Sequence, residues 1–467
     1  MTDVSRGLTA AVADFAVGTT FGDIPAEVNH LGRKSILDAL GPAIVGAITP
    51  TCEVLQGYLA GLGLPAQGAT VIGTAQRLPA RFAALANGTA THADDYDDTM
   101  QAATGKFQGI HPTAPVLSAL LAKAETSGRM RSGRELLHAY QVGVEVACKL
   151  FDATAPEHIL NGFHSTGTCG LLGAAVAVSV FEGAPAATIG TALGIAASSA
   201  AGLQENFGTM TKPYHAGRSA EGGIVAYDLT AAGFTASPII LEAKRGFFQA
   251  YGGGWQPERI VGRLGAPWSF VDRGIWLKPW PTGSLGHPAM TVFLDLATRY
   301  DIDPAKVRRI MVRTSENIHR TLLHHRPKTE LEGKFSLEFC IAALLQDRRL
   351  GLRDFTDEYV ESAPIQRLIE LIDYQTFSEA EARAAGYSIV TTFGELELDD
   401  GTVVSDRRDY GKGSQSNPMS DDEVVAKFLD CCAYADWPTD KAQRIVDIVW
   451  RLDDLPDTAD LTACLGR

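Results

Sequence analysis

Apolar positions along this chain follow two periods, and the change from one to the other divides it. Val28, Leu31, Ile36, Leu37, Leu40 and Ile44 recur at roughly helical spacing. Ile24-Pro25-Ala-Glu stands in front of them, and Pro25 opens a helix where its missing N–H costs nothing. To about residue 260, Ala-rich apolar segments then alternate with short Gly/Pro turns, and Val71-Ile-Gly-Thr is one of the few strand-like pieces. Gly183 to Gln204 carries no charge over a membrane-like length, but it is built from small residues and contains Pro185, so it is expected to be a packed interior helix. Near Gly262 the texture shifts. Trp268, Trp276 and Trp280 cluster with prolines, and Val307 to Thr314 alternates with a strand period. Ile389 to Val404 reads as two strands joined by an Asp-Gly turn, and Glu361 to Tyr374 as a helix. Behind Ser420, an N-cap, helical spacing returns through Phe428 and again through Ile445 to Trp450. The expected fold is therefore mostly α with an inserted α+β domain. Residues 1–264 are expected to form the first part of a helical domain, 265–404 a smaller α+β domain, and 405–467 a return to the helical domain.

Composition narrows the class. A chain of 467 residues with 45% hydrophobic and 21% charged content has ample material for a large core. Lys+Arg 41 against Asp+Glu 55 leaves −14, an acidic balance that argues against nucleic acid as a partner. Any anion site must be a local cationic pocket. The seven cysteines show no CxxC pairing and no zinc-like spacing with histidine, so reduced, mostly buried thiols in a cytoplasmic protein are expected. With Gly183 to Gln204 read as an interior helix, no membrane partner is expected. The N-terminal residues lack the charged-then-apolar pattern of a leader.

Candidate chemistry concentrates between Ala86 and Thr99. His92, Asp94, Asp95, Asp97 and Asp98 crowd into this stretch around Tyr96. A solvated acidic loop is the plain explanation of such a run. A helix through it would instead put His92, Asp95 and Thr99 on one face. Asp94-Asp95-Tyr96-Asp97-Asp98 also satisfies DDxxD, the magnesium–diphosphate signature of helical terpenoid synthases, but no second metal-binding triad follows. Four further Gly-punctuated segments carry titratable groups: His111-Pro112; Gly162-Phe-His164-Ser-Thr-Gly167; Thr211-Lys212-Pro-Tyr-His215-Ala-Gly217-Arg218; and Lys278-Pro-Trp280 through Ser284 to His287. Each has a duller reading. His164 can be a helix cap, Lys212 and Arg218 surface charges, and Lys278 a cation–π partner of Trp280. Their sum favours a catalytic site built on loops of a rigid scaffold.

Taken in order, Asn87-Gly…His92…Asp95-Tyr-Asp-Asp98-Thr99, His111-Pro112, Gly162-Phe-His164, Thr211-Lys212-Pro-Tyr-His215-Ala-Gly217, Lys278-Pro-Trp-Pro…His287 and Lys334-Phe-Ser resemble the MmgE/PrpD family. That family comprises 2-methylcitrate dehydratases, cis-aconitate decarboxylases and iminodisuccinate epimerase. The resemblance implies a large helical domain with an inserted α+β lid, usually a homodimer, and an active site between the domains that needs no metal or organic cofactor. Carried over by motif, the decarboxylase positions fall on Asp95, Thr99, His111, His164, Lys212 and Lys278. The segment Met100 to Ile110 is longer than the tight loop of the decarboxylases. The expected chemistry is removal of a proton alpha to a carboxylate of a small di- or tricarboxylate. Lys212 and Lys278 would neutralise the enolate-like charge, His164 or His215 would exchange the proton, and Asp95 would orient a histidine or pair with a lysine. His92, Thr99, His111, Arg218, Ser284 and His287 would bind substrate. Epimerisation of an iminodisuccinate-type dicarboxylate is the first expectation, 2-methylcitrate-type dehydration the next, and cis-aconitate-type decarboxylation the third.

Overall fold

A computed structural model describes residues 7–101, 109–154, 156–388 and 390–467. The chain divides into two compact units. The first is helical and is built from the chain up to Leu277 together with Ser420–Arg467; the second runs from Lys278 to Met419.

The first unit is a set of tightly packed helices: α1 (Ala26–Gly46), α2 (Ala80–His92), α3 (Thr113–Ala124), α4 (Gly133–Ala153), α5 (Ser165–Phe181), α6 (Ala186–Ser199) and α7 (Thr211–Ala231). The Ala/Gly bias of the sequence has a direct structural cause, because small residues let helix axes approach. A Cβ on Gly217 of α7 would stand 2.2 Å from Thr89 Oγ1 and 2.3 Å from Leu85 O of α2. From the facing side, a Cβ on Gly88 would come within 2.9 Å of Gly217 Cα. α7 therefore lies directly on α2, and the ends of both helices carry site residues. α6 buries Ile189, Ala192, Leu193, Ala196 and Ala197, while Ala187, Ser198 and Ser199 are exposed. It is a one-sided helix rather than a wholly interior one. No single helix among the described residues is long and apolar enough to cross a membrane. All seven cysteines are free and buried.

In the second unit, α8 (His287–Arg299), α9 (Leu337–Asp347) and α10 (Ala363–Glu370) accompany a four-stranded sheet. Numbering the short strands Met100–Gln101 and Gly109–Ile110 of the first unit β1 and β2, the sheet holds β3 (Val307–Ser315), β4 (Ile372–Phe377), β5 (Thr392–Leu398) and β6 (Val403–Arg408). The order is β4-β3-β5-β6, with β4 parallel to β3 and the rest antiparallel. β5 and β6 form the expected hairpin, whose turn needs Gly401 at φ 82°; Ile389 lies outside the described residues. The helix expected over Glu361 to Tyr374 stops at Glu370, and Ile372 to Tyr374 belong to β4. Pairing with β3 (Ile372 opposite Ile310) overrides the local helical pattern.

The unit boundaries fall later than the change in sequence texture, at 277/278 and 419/420 rather than 264/265 and 404/405. Residues 265–277 are held to the helical unit by several contacts: the buried Glu145 carboxylate accepts from the N–H groups of Gly265 and Ser269, Lys149 donates to Pro267 O, and Trp276 bridges Thr99. At the other end β6 extends to Arg408, and the Lys412 N–H donates to Thr291 Oγ1 on α8. After Ser420, whose hydroxyl accepts from the Glu423 N–H, α11 (Asp421–Tyr434) and α12 (Thr439–Trp450) close the first unit, and α11 packs on α1.

Candidate active site

The acidic stretch is not a helix. α2 ends at His92, and Asp95 takes a left-handed φ of 52°. That turn sends successive carboxylates in different directions. Asp95 Oδ1 accepts from Lys212 Nζ at 2.5 Å. Asp97, fully buried, faces His92 Nδ1 at 2.8 and 3.0 Å and has Oδ2 3.4 Å from His111 Nδ1. Asp98 is held by Thr113, whose hydroxyl also meets Tyr140. In a magnesium–diphosphate motif the first and last carboxylates turn to the same ions; here Asp95 is taken by Lys212 and Asp98 by the Thr113 hydroxyl, separate partners that speak against the DDxxD reading. The helical face expected for His92, Asp95 and Thr99 is absent for the same reason.

Three other elements converge on this turn within the helical unit. β1 and β2 pair antiparallel, Met100 opposite Ile110 and Gln101 opposite Gly109. The ends of the long Met100–Ile110 segment thus meet, and His111, the next residue, is returned to the cluster; residues 102–108 lie outside the described residues. His111 Nε2 is 3.9 Å from Asp95 Oδ1, and its backbone N–H donates to Thr166 Oγ1. His164 sits at the N-cap position of α5 but makes no side-chain cap bond. Its Nδ1 faces His215 Nδ1 at 3.0 Å instead. Lys212 and His215 are three residues apart on α7 and share a face. The rings of His92 and His111 have centroids 4.4 Å apart, and those of His92 and His164 5.8 Å. Phe207 closes the group, its ring 4.9 Å from that of His164 and 5.4 Å from Lys212 Nζ.

Burial sets the protonation states. It depresses the His92 imidazole to about 4, helped by His111 and Lys212 and opposed by Asp97. His164 is held well below the usual histidine range by burial and by His92, Lys212, His111 and His215. His215 is lowered by burial and by Lys212. Burial alone would raise Asp97, but the imidazoles of His92 and His111 hold it well below the usual carboxylate range. Burial holds the Asp98 carboxyl well above the usual carboxylate range, opposed by the Thr113 hydroxyl. The site therefore combines neutral imidazoles with a lysine–carboxylate pair, an arrangement able to exchange protons next to a bound anion. His92, Asp95, Asp97 and His111 each offer one ligand atom within 4.8 Å of the others, so this set can hold a metal ion. The Lys212 ammonium already stands against Asp95 there.

Of the residues expected at the site, Asp95, His92, His111, His164, Lys212 and His215 are brought together. Thr99 is buried beside them, its backbone paired with Trp276 and its hydroxyl donating to Ile110 O at 3.3 Å. Arg218 is not part of the cluster. It is half-exposed and bound to Glu221, which also takes Arg81 near the start of α2. Helix rise puts Arg81 roughly 16 Å along the axis from His92. Lys278, Ser284 and His287 belong to the second unit. There Lys278 and His287 are buried, Ser284 is half-buried, and Trp280 packs edge-on against His287. Asp97 and Phe207 were not singled out from the sequence. The available signal for Asp97 was its place in the same acidic run as Asp95; Phe207 had none.

The family model for the MmgE/PrpD N-terminal domain matches residues 10–260, and that for the C-terminal domain residues 280–454. The chain belongs to the MmgE/PrpD family. It is 27% identical over 472 residues to the cis-aconitate decarboxylase of Homo sapiens, covering 98% of this chain and 95% of that protein. Identity to the cis-aconitate decarboxylase of Mus musculus is 28%, with 94% and 91% covered. For that of Aspergillus terreus it is 26%, with 99% and 97% covered.

Proposed function

We propose that this chain is an acid–base carbon–carbon lyase that decarboxylates a small unsaturated tricarboxylate of the cis-aconitate class. The observation that carries the reading is the Lys212–Asp95 ion pair set among buried histidines. The full-length similarity to cis-aconitate decarboxylases supports the substrate class. When the C–CO₂ bond breaks, its electron pair moves into the adjacent carbon–carbon double bond and spreads onto a neighbouring carboxylate. A positioned ammonium lowers the energy of that charge, which is the task of Lys212. A proton then enters at carbon, either from the ammonium or from a transiently protonated imidazole, and solvent restores it. Substrate carboxylate competes with Asp95 for Lys212, so the ion pair also holds the lysine in place before binding.

One observation favours a second reading. Neutral imidazoles are bases before they are acids, and a base-first reaction removes a proton alpha to a carboxylate. Epimerisation of an iminodisuccinate-type dicarboxylate, or elimination from a methylcitrate-type hydroxy acid, begins in this way. The longer Met100–Ile110 segment points in the same direction.

Incubation with each acid in D₂O separates these readings. Decarboxylation releases CO₂ and places one deuterium in the product. Deuterium at the alpha carbon with changed optical rotation and no loss of mass would replace the decarboxylase by an epimerase, and water release by a dehydratase. Lys212→Ala is expected to lower kcat by about 10²–10³, and activity is expected to survive dialysis against EDTA. Near-wild-type turnover by the variant would remove Lys212 from the mechanism.

A further inference from the structure

We propose that His92, Asp95, Asp97 and His111 form a binding site for one divalent transition-metal ion of the Zn²⁺ kind, which takes Asp95 in competition with the Lys212 ammonium. The site goes beyond the lyase reading and does not depend on it. The ion is a competitor of Lys212 and not a cofactor.

The four side chains come from three places: the end of α2, the left-handed turn and the residue after β2. Each offers one ligand atom, and these atoms lie within 4.8 Å of one another. Zinc bonds to nitrogen or oxygen of about 2.0–2.2 Å put neighbouring ligand atoms of a tetrahedral site about 3.3 Å apart. The separations around Asp97 are already close to that. Its oxygens lie 2.8 and 3.0 Å from His92 Nδ1, and Oδ2 lies 3.4 Å from His111 Nδ1. Asp95 Oδ1 stands 3.9 Å from His111 Nε2, on the side of Lys212.

Two buried ring nitrogens, His92 Nε2 and His111 Nδ1, make no hydrogen bond among the described residues. Imidazole nitrogen is the commonest metal ligand, and here His111 Nδ1 faces a carboxylate without bonding to it. Two carboxylates also meet one ammonium. Lys212 Nζ bonds Asp95, while among the described residues the ion-pair contacts of Asp97 are the two imidazoles. The ligands are held from behind. Tyr96 O, between the two carboxylates, accepts from Lys427, Asp98 is held by Thr113, and the His111 N–H donates to Thr166. Outer contacts of this sort keep donor atoms in place and are worth about 10–100-fold in metal affinity. Two imidazoles with two carboxylates select Zn²⁺ and its neighbours over Mg²⁺, which takes oxygen ligands and keeps its waters.

The test uses the full chain after dialysis against EDTA, titrated calorimetrically with Zn²⁺ and, separately, with Mg²⁺. One Zn²⁺ per chain is expected, with no binding of Mg²⁺ at the same concentrations. No zinc binding, or equal binding of the two ions, overturns the proposal. Zinc K-edge X-ray absorption of the one-to-one complex then reads the ligands without any substitution. Two imidazoles with oxygen are expected; sulfur from a cysteine, or a shell without imidazole, overturns it. Lys212→Ala removes the competing ammonium and is expected to tighten binding by about tenfold or more. Unchanged affinity would overturn the sharing of Asp95 between ion and lysine. His111→Ala, shown to be folded by circular dichroism, is expected to weaken binding by more than about tenfold. Zinc held as tightly by that variant lies elsewhere, at a pair such as His325 and Glu338 in the second unit, and overturns the site. None of these readings needs a substrate, so the metal site and the lyase reading stand or fall separately.

Discussion

His158 shows how strongly burial alone tunes a histidine in this protein. It is boxed by Phe163, Phe247 and Tyr251, with Nε2 on the Thr168 hydroxyl at 3.0 Å. Burial pushes it down to about 4. Its folded pKa lies below its unfolded value near 6.5, so the folded state binds fewer protons between those limits. The stability it contributes is present above about pH 6.5 and is lost as pH falls towards 4. The full shift amounts to roughly 3 kcal/mol. His158→Gln is therefore expected to flatten the fall in Tm between pH 6.5 and 4.5 relative to wild type. An unchanged pH slope would show that His158 is protonated without cost. At this scale much of the candidate site was legible from residue type and spacing. Asp95, His164, Lys212 and His215 are the groups that acid–base chemistry beside a carboxylate requires. Arg218 stands outside the cluster on Glu221, and a cation near a motif looks the same in sequence whether its partner is a substrate or such a carboxylate.

At the scale of elements, the contact between α2 and α7 controls the site. Lys212 and His215 lie in the first turns of α7 and His92 in the last turn of α2, so the spacing of the two axes sets the distances between them. Gly217→Ala puts a methyl group against Leu85 O and Thr89, a backbone clash that no side-chain rotation relieves. A loss of about 1–3 kcal/mol is expected, with activity falling further than stability explains. Gly57→Ala is the control. Its Cβ meets nothing within 4 Å in the helix Pro50–Gly61, and it should be neutral or stabilise by up to about 1 kcal/mol. Equal Tm values for wild type and Gly217→Ala would contradict the close approach. Helices, the β5–β6 hairpin and the Ser420 cap were readable from periodicity and turn chemistry. The β1–β2 pairing was not, because two-residue strands carry no period. β4 was hidden by its sequence neighbour α10 until β3 supplied a partner.

Across the whole chain, the C-terminal helix α11 ties the tail to the front of the first unit. Lys427 Nζ donates to Asp38 Oδ1 on α1 at 2.7 Å and to Tyr96 O in the acidic turn at 2.8 Å, and it lies 3.9 Å from the centroid of the Tyr96 ring. The pair is buried, so removing one member strands the other in a medium that solvates charge poorly. Lys427→Met is expected to cost about 3–5 kcal/mol, and the double change Lys427→Met/Asp38→Leu to recover much of it. Midpoints of chemical denaturation decide this; a single variant as stable as wild type would show that the tail is held by apolar packing alone. Since Lys427 also fixes the turn that carries Asp95 and Asp97, the single variant should lose activity even under conditions where it remains folded.

Local physics settled the fold class, the helical and α+β textures and the family, because periodicity, capping and motif order are written in contiguous residues. It also marked the acidic stretch as chemically loaded. Only the tertiary structure decided where each carboxylate of that stretch points, because the direction depends on one left-handed residue and on partners far along the chain, in Lys212, His111 and Thr113. It likewise decided which histidines are kept neutral. Burial is a property of everything packed around a ring, and no short stretch of sequence contains it.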